Sequence, residues 1–345
     1  MHHSGTFIRV DNSICTSHTA ILSMIMGSSI ATWSILVPPI MALASPRDSL
    51  LLAGALVSGA MVGDRTSPMS TSLLVMSKAA AIPHFIASKQ AIKSAILPFL
   101  FAGLLFYIAN RFVAPTSVLG ISAPVFKSSQ VWLLIAPISV IVLAILRVPL
   151  LFNFLLAFGL ATLLAWFHPT THTSLITIML FGDKTASNHL GSSLGGLLSM
   201  VSLFIIIVAA GAFQGITSLT QVTERLTASL FAYAKGPVTR TWSTFFVAIS
   251  FSLLMGSQSL AILMTGNALL PQLGSYQVPN INTFQILADV SELLPALIPW
   301  NILGLQASTI LSISAVSFMP FVWYIWITIL FCFLRTWKVL SRYAS

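Results

Sequence analysis

Charged side chains are what this sequence has least of. Lysine, arginine, aspartate and glutamate make up 7% of its 345 residues, and only seven of these are acidic. A water-soluble domain carries about a quarter charged residues, so this chain has too little polar surface to face water on every side. Cysteine is nearly absent too. Cys15 and Cys332 lie far apart, which excludes a disulfide framework and cysteine-based zinc spacings. The opening MHHSGTFIRVDNSICTSH lacks the basic-then-apolar order of a secretory signal. Also missing are a nucleophile elbow, an HExxH pair and a phosphate-binding glycine loop. GSSLGG at 191–196 lacks the strand–helix setting that such a loop needs. His168, His172 and His189 share one polar stretch at spacings that match no common metal motif. These absences argue against an enzyme.

What the chain does have is apolar length. Hydrophobic residues make up 57% of the total, and mean hydropathy is +0.95. A helix needs roughly 20 apolar residues to cross the hydrocarbon core. The clearest runs are 95–109, 131–146, 150–167, 194–214, 243–265 and 321–334, and three longer, interrupted regions cover 19–44, 51–81 and 286–316. Stretches such as LLSMVSLFIIIVAAGAF are apolar on every face, whereas barrel strands alternate, and a lipid-facing segment must satisfy its own backbone hydrogen bonds. The expectation is an all-α, polytopic helical membrane protein. A polar tail over 1–18 precedes a single transmembrane domain over 19–340, with about nine or ten membrane segments.

The net charge of +9 is read as basic residues in cytoplasmic loops, not as a nucleic-acid footprint. Arg335, Lys338 and Arg342 follow an apolar run, which places the C-terminus in the cytoplasm of a plasma-membrane protein; the stretch with Arg225, Lys235 and Arg240 falls on the same side. The lipid bilayer is the first expected partner.

The interrupted regions carry the chemistry. Broken helices in transporters put unwound backbone and half-helix ends near the bilayer midplane, where substrate and coupling ion bind. In GSSIATWSILVPP at 27–39, the hydroxyls of Ser28, Ser29 and Thr32 can satisfy freed backbone groups; a tight packing face kinked by Pro38 and Pro39 explains the same pattern. In GAMVGDRTSPMSTS at 59–72, Asp64 and Arg65 sit between Gly63 and Pro68, inside apolar flanks. A charge at mid-membrane costs about 2.5–3.5 kcal/mol on insertion scales and usually marks a pathway or a pair. In ADVSELLPALIPWN at 288–301, Asp289 and Glu292 share a helix face before Pro295 and Pro299 break it, and Asn301 offers a neutral oxygen. A carboxylate beside unwound carbonyls suits a hard monovalent cation or a proton. An interfacial loop is the plainer account of the last two segments.

In this order, these segments resemble the NhaC-type sodium/proton antiporters of the ion-transporter superfamily. GAMVGDRTSPMS is similar to that family's GAxxGDKxSPLSDTTN, GSSIATW to its GTSWGT, SQSLAILMTGN to its DQYLAIVLPGR, and ADVSELLPALIPWN to its EDSGTxxSPLIPWN. The resemblance implies inverted repeats with broken or re-entrant helices, and exchange of sodium for protons by alternating access, with no cofactor beyond those coupling ions. Some relatives carry small carboxylates or amino acids instead, so an organic-solute carrier is the alternative. Carried across position by position, Gly63, Asp64, Ser67, Pro68 and Ser70 match the first signature, with Arg65 in place of lysine. Gln258 matches the third, and Asp289, Pro299, Trp300 and Asn301 match the fourth. The ion or substrate set implied is Asp64, Ser67, Ser70, Gln258, Asp289, Asn301, Ser29 and Thr32. Asp64 and Asp289 are the sodium-binding acids, and Gly63, Pro68 and Pro299 make the breaks. A homo-oligomer is compatible with this picture.

The departures are as informative. Thr71, Ser72, Leu73 and Leu74 stand where the family has Asp-Thr-Thr-Asn, Ser257 replaces an aspartate, and Ala288 replaces one of two paired acids. Glu292, one helical turn on, partly compensates. Typical members also carry several membrane segments before the GTSWGT-like one, so the resemblance implies a chain short at its N-terminus, and a non-transporting remnant is a further alternative.

Overall fold

The computed structural model describes residues 11–41, 48–112 and 236–342, with scattered helical positions between 135 and 212. The expected segments 131–146, 150–167 and 194–214, and the histidine-bearing stretch between the last two, lie essentially outside the described residues. The chain divides into two units, one of 1–10 with 113–206 and one of 11–112 with 207–345. Every regular element described in the second unit is helical.

The first helix, α1 (Asn12–Met26), begins well inside the stretch expected to be a polar tail. Asp11 caps it, accepting from the Ser13 amide at 2.9 Å and the Ser13 hydroxyl at 2.6 Å. Its polar positions Asn12, Thr16, Thr19 and Ser23 are buried, and Asn12 Nδ2 donates to Asn110 Oδ1 at 2.7 Å. A sequence rich in Ser, Thr and Asn reads as a tail by composition, yet here those groups face inward. α1 ends at Gly27, whose φ of 65° is the left-handed conformation that glycine adopts without cost.

The helix α2 (Ser29–Met41) starts two residues later. Next comes α3 (Ser49–Thr66), which is buried along nearly its whole length and packs chiefly on α1. The contact runs along Gly59 and Gly63, four residues apart on one helix face. A Cβ at either position would run into the Thr16 or Ala20 carbonyl, so small residues set the helix separation. After an extended turn at Ser67–Ser70, α4 (Thr71–Ala79) begins. The interruptions expected in 19–44 and 51–81 are thus both real breaks, and they meet: a Cβ on Gly27 would lie about 3.0 Å from the Met69 backbone.

The helix α5 (His84–Phe112) extends the expected 95–109 run in both directions. With α11 (Trp323–Arg342) it is one of two helices among the described residues that are individually long and apolar enough to span a membrane. Outward-facing Leu100, Phe101, Leu104, Leu330 and Leu334 are exposed, as expected of sides that face lipid.

The run 243–265, expected as one continuous segment, is two helices. α6 (Pro237–Leu254) stops at extended Met255, and α7 (Gln258–Ser275) restarts after extended Ser257. A break needs only three non-helical residues, and Met-Gly-Ser scarcely interrupts an apolar run. The expected 286–316 interruption is a bent pair. α8 (Asn280–Ile286) continues through a π turn at Leu287–Ser291 and a 3-10 turn at Leu294–Leu297, then meets α9 (Ile302–Leu311) at 50°. A short α10 (Ala315–Phe318) precedes α11.

The two later breaks are fastened together. Asn301 Nδ2 donates to the Met255 carbonyl at 2.9 Å, Ile302 N–H to the Gly256 carbonyl at 2.8 Å, and Trp300 Nε1 to the Leu253 carbonyl at 2.7 Å. Met255 of the first of these breaks belongs to a buried apolar cluster with Phe245, Phe251, Leu269, Leu273 and Ile286, and Leu73, Met76, Ile262 and Phe284 form a second cluster that joins α4, α7 and α8. At about 25 cal/mol per Å² of apolar area, such clusters hold the polar breaks in register.

Candidate functional site

Asp64 lies in the last turn of α3 and is almost wholly buried. A carboxylate taken out of water must be compensated by donors, and this one is. Its Oδ2 accepts from the Ser29 amide at 3.1 Å and the Ser29 hydroxyl at 2.8 Å, and its Oδ1 accepts from the Ser70 hydroxyl at 2.6 Å. Ser29 opens α2, so the carboxylate faces a helix N-terminus, where free amides and the helix dipole favour negative charge. Ser70 occupies the position before α4 without capping it. Its hydroxyl turns to Asp64 instead.

A second carboxyl stands close by. Ser72 Oγ is 2.7 Å from Ser70 Oγ, 2.9 Å from Glu292 Oε1 and 3.5 Å from Asp64 Oδ1. Glu292 is fully buried, and its Oε2 has no hydrogen-bond partner among the described residues. Its backbone carbonyl accepts from Gln258 Nε2 at 2.8 Å, at the start of α7. Two buried carboxyls, from two different helix breaks, are therefore joined through two hydroxyls.

Arg65 and Asp289 form a separate cluster. Arg65 is fully buried; it donates to Tyr324 Oη at 2.7 Å, to Ser94 Oγ at 2.7 Å and to Asp289 Oδ1. Arg335, with 32% of its side chain exposed, reaches Asp289 Oδ2 at 3.4 Å. The neighbours Asp64 and Arg65 thus have different partners, and so do Asp289 and Glu292, which a regular helix would place on one face. The π turn between the last two carries its extra residue at this point, and such turns recur where a helix must redirect side chains.

The residues expected from sequence divide accordingly. Asp64, Ser29 and Ser70 meet directly, and Gln258 adjoins them through Glu292. Thr32 donates to the carbonyl of Ser28, the residue before its own helix, at 2.8 Å, and Ser67 Oγ accepts from the Met69 amide within its turn at 3.2 Å. Asn301 fastens the later breaks and caps α9 through Oδ1 and the Leu303 amide at 3.0 Å. Gly63 belongs to the α1 contact, Pro68 lies exposed on the turn after α3, and Pro299 is half-buried in the later break. Sequence reasoning missed Ser72 and Arg335 as partners of the acids, and Ser94 and Tyr324 as partners of Arg65. Ser72 was legible by its spacing of two from Ser70; the others act across long sequence separations that no local pattern marks.

Chemically, the Asp64–Glu292 cluster offers carboxylate and hydroxyl oxygens. That donor set suits a hard cation or a proton and lacks the thiolates and imidazoles that select transition metals.

The family model described as the Na+/H+ antiporter family matches residues 86–336, a range that holds Gln258, Asp289, Glu292 and Asn301. The Na+/H+ antiporter NhaC of Bacillus subtilis is 25% identical to the chain over 325 residues, 89% of this chain and 71% of its own length. NhaC of Alkalihalophilus pseudofirmus is 24% identical over 335 residues, 91% of this chain and 72% of its own. The malate-2H+/Na+-lactate antiporter of Bacillus subtilis is 22% identical over 289 residues, 79% and 61% of the two chains. No solved structure matches the chain.

Proposed function

Because the chain belongs to the Na+/H+ antiporter family, we propose that it is a secondary active transporter that exchanges sodium for protons by alternating access, with Asp64 at the centre of its ion site. The reading places it in the cell membrane as a multi-pass protein with a cytoplasmic C-terminus, carrying ions without chemical conversion. The observation behind it is a buried carboxylate held by Ser29 and Ser70, the first groups of two half-helices. Such a site binds one small cation with charge and hydroxyl oxygens, and it opens to either side if the half-helices shift.

In this reading Glu292 stands closer to the ion path than Asp289 does. Asp289 already shares its charge with Arg65 and Arg335, whereas Glu292 has an unpartnered oxygen beside Ser72. The relatives named as sodium/proton antiporters support the substrate pair.

The test is direct. In proteoliposomes holding a pH-sensitive dye, external sodium should raise the internal pH as protons leave in exchange. Asp64→Asn should abolish the response; an unchanged response would sink the reading. A second reading, exchange of a small carboxylate, draws on the likeness to a relative named for malate and lactate. Labelled malate, lactate and amino-acid uptake by the same vesicles separates the two.

A further inference from the structure

Four oxygens lie in a row between the two carboxyls: Asp64 Oδ1, Ser70 Oγ, Ser72 Oγ and Glu292 Oε1. Successive separations are 2.6, 2.7 and 2.9 Å. Each is hydrogen-bond length, and each needs one hydrogen between its oxygens. The two serines supply two hydrogens for three contacts. If Ser70 donates to Asp64 and Ser72 donates to Glu292, the 2.7 Å contact between the hydroxyls holds none. A third hydrogen is required, and it belongs to a carboxyl.

The remaining contacts decide which one. Asp64 Oδ2 accepts two bonds from Ser29, which satisfies an anion. Glu292 Oε2 accepts none among the described residues, and an unpaired oxygen is far less costly in a neutral acid than in an anion. The order is then Glu292 O–H to Ser72, Ser72 to Ser70, and Ser70 to Asp64.

Building on the antiport reading above, we infer that Glu292 carries the coupling proton of this transporter, and that Ser72 and Ser70 form a relay through which Glu292 and Asp64 share it. When a sodium ion enters against Asp64, the Glu292 O–H bond breaks and its proton passes to water on the open side. One cation enters as one proton leaves, so the site with its bound ion keeps the net charge that the carboxyl pair had before. In reverse, a proton arriving at Glu292 restores the row and expels sodium. The relay can also carry the proton inward: each hydroxyl passes its own hydrogen forward and accepts the next, so the acid at Glu292 becomes an acid at Asp64.

The charged groups acting on Glu292 are Asp64 and Arg65 from α3. Asp289 from its own turn is taken up by Arg65 and Arg335. Towards it α7 presents the uncharged Gln258 and α4 the uncharged Ser72; Lys78 of α4 is exposed. From α11, Tyr324 is occupied by Arg65.

The experiment uses the purified full chain with two transport assays and one spectrum. Sodium uptake driven by a pH gradient needs the proton; sodium/sodium counterflow does not. Glu292→Gln should reduce gradient-driven uptake to the level of protein-free vesicles and lower counterflow by a much smaller factor. Ser72→Ala, a milder change in case Glu292→Gln misfolds, should slow gradient-driven uptake selectively. Asp64→Asn should remove both. In infrared difference spectra, sodium should remove a protonated-carboxyl carbonyl band from the wild type and none from Glu292→Gln. Gradient-driven uptake intact in Glu292→Gln, or the same band in that variant, would overturn the inference. A wild type with neither form of transport would overturn the antiport reading instead, and its sodium-free spectrum would still show whether a carboxyl at position 292 is protonated.

Discussion

Arg65 and Asp289 are bonded across 224 positions of sequence, both buried. The pair ties the end of α3 to the π turn after α8, and Tyr324 and Ser94 bring α11 and α5 to the same guanidinium. One side chain thus joins four elements around the candidate site.

Removing either partner leaves an uncompensated charge away from water. Arg65→Met and Asp289→Asn should each destabilise the protein by about 3–5 kcal/mol, read as a lower melting temperature in detergent. Arg335→Gln should cost under about 1 kcal/mol, because Arg335 is partly exposed and its contact is longer. Equal losses in all three would refute the assignment of Arg65 as the main partner.

The helix seam between α1 and α3 makes a steric prediction. Gly59→Ala or Gly63→Ala forces a methyl against a carbonyl of α1, at about 1–3 kcal/mol each. Alanine at Gly103, which has open space around it, should be neutral. Thermal shifts of the three variants provide the comparison.

Asn301 is expected from sequence as an ion ligand, and its contacts point to another task. Asn301→Ala removes a bond to the Met255 carbonyl and the cap of α9, together worth about 1–3 kcal/mol. Faster proteolysis near residues 255–257 with little change in apparent sodium affinity is the expected result. A large affinity loss in a variant of undiminished melting temperature would restore the ligand role.

In the proposed antiport, binding of sodium with release of one proton links the two ions reciprocally. Apparent sodium affinity should rise about tenfold per pH unit while the site is protonated, because fewer protons then compete. Glu292→Gln should flatten this dependence. Sodium-dependent transport measured across a pH series checks the slope.

The membrane class was legible because apolar composition leaves no other solvent for the exterior. The breaks at Gly27 and Ser67–Ser70 were legible too, since glycine, proline and hydroxyl residues are rare enough in apolar runs to stand out. The break at 255–257 was hidden: Met-Gly-Ser barely lowers hydropathy, and its hydrogen bonds come from Trp300, Asn301 and Ile302, more than forty residues on. Asp64 stood out because an acid inside an apolar run is rare, and its burial against Ser29 and Ser70 replaces the interfacial-loop account. That Glu292 faces Ser72 while Asp289 faces Arg65 was not legible, because spacing along an ideal helix put both acids on one face and only the π turn separates them.

The glycine contact between α1 and α3 has a mechanical consequence. Two helices whose backbones touch cannot slide past the next side chain without first moving apart, so in the proposed antiport these two would travel as one body. Freedom is left at the handover points, Gly27 into α2 and Ser67–Ser70 into α4. Those joints border the two hydroxyls that grip Asp64, so a hinge there would be the clamp as well, and the site would not open without loosening its hold on a bound ion.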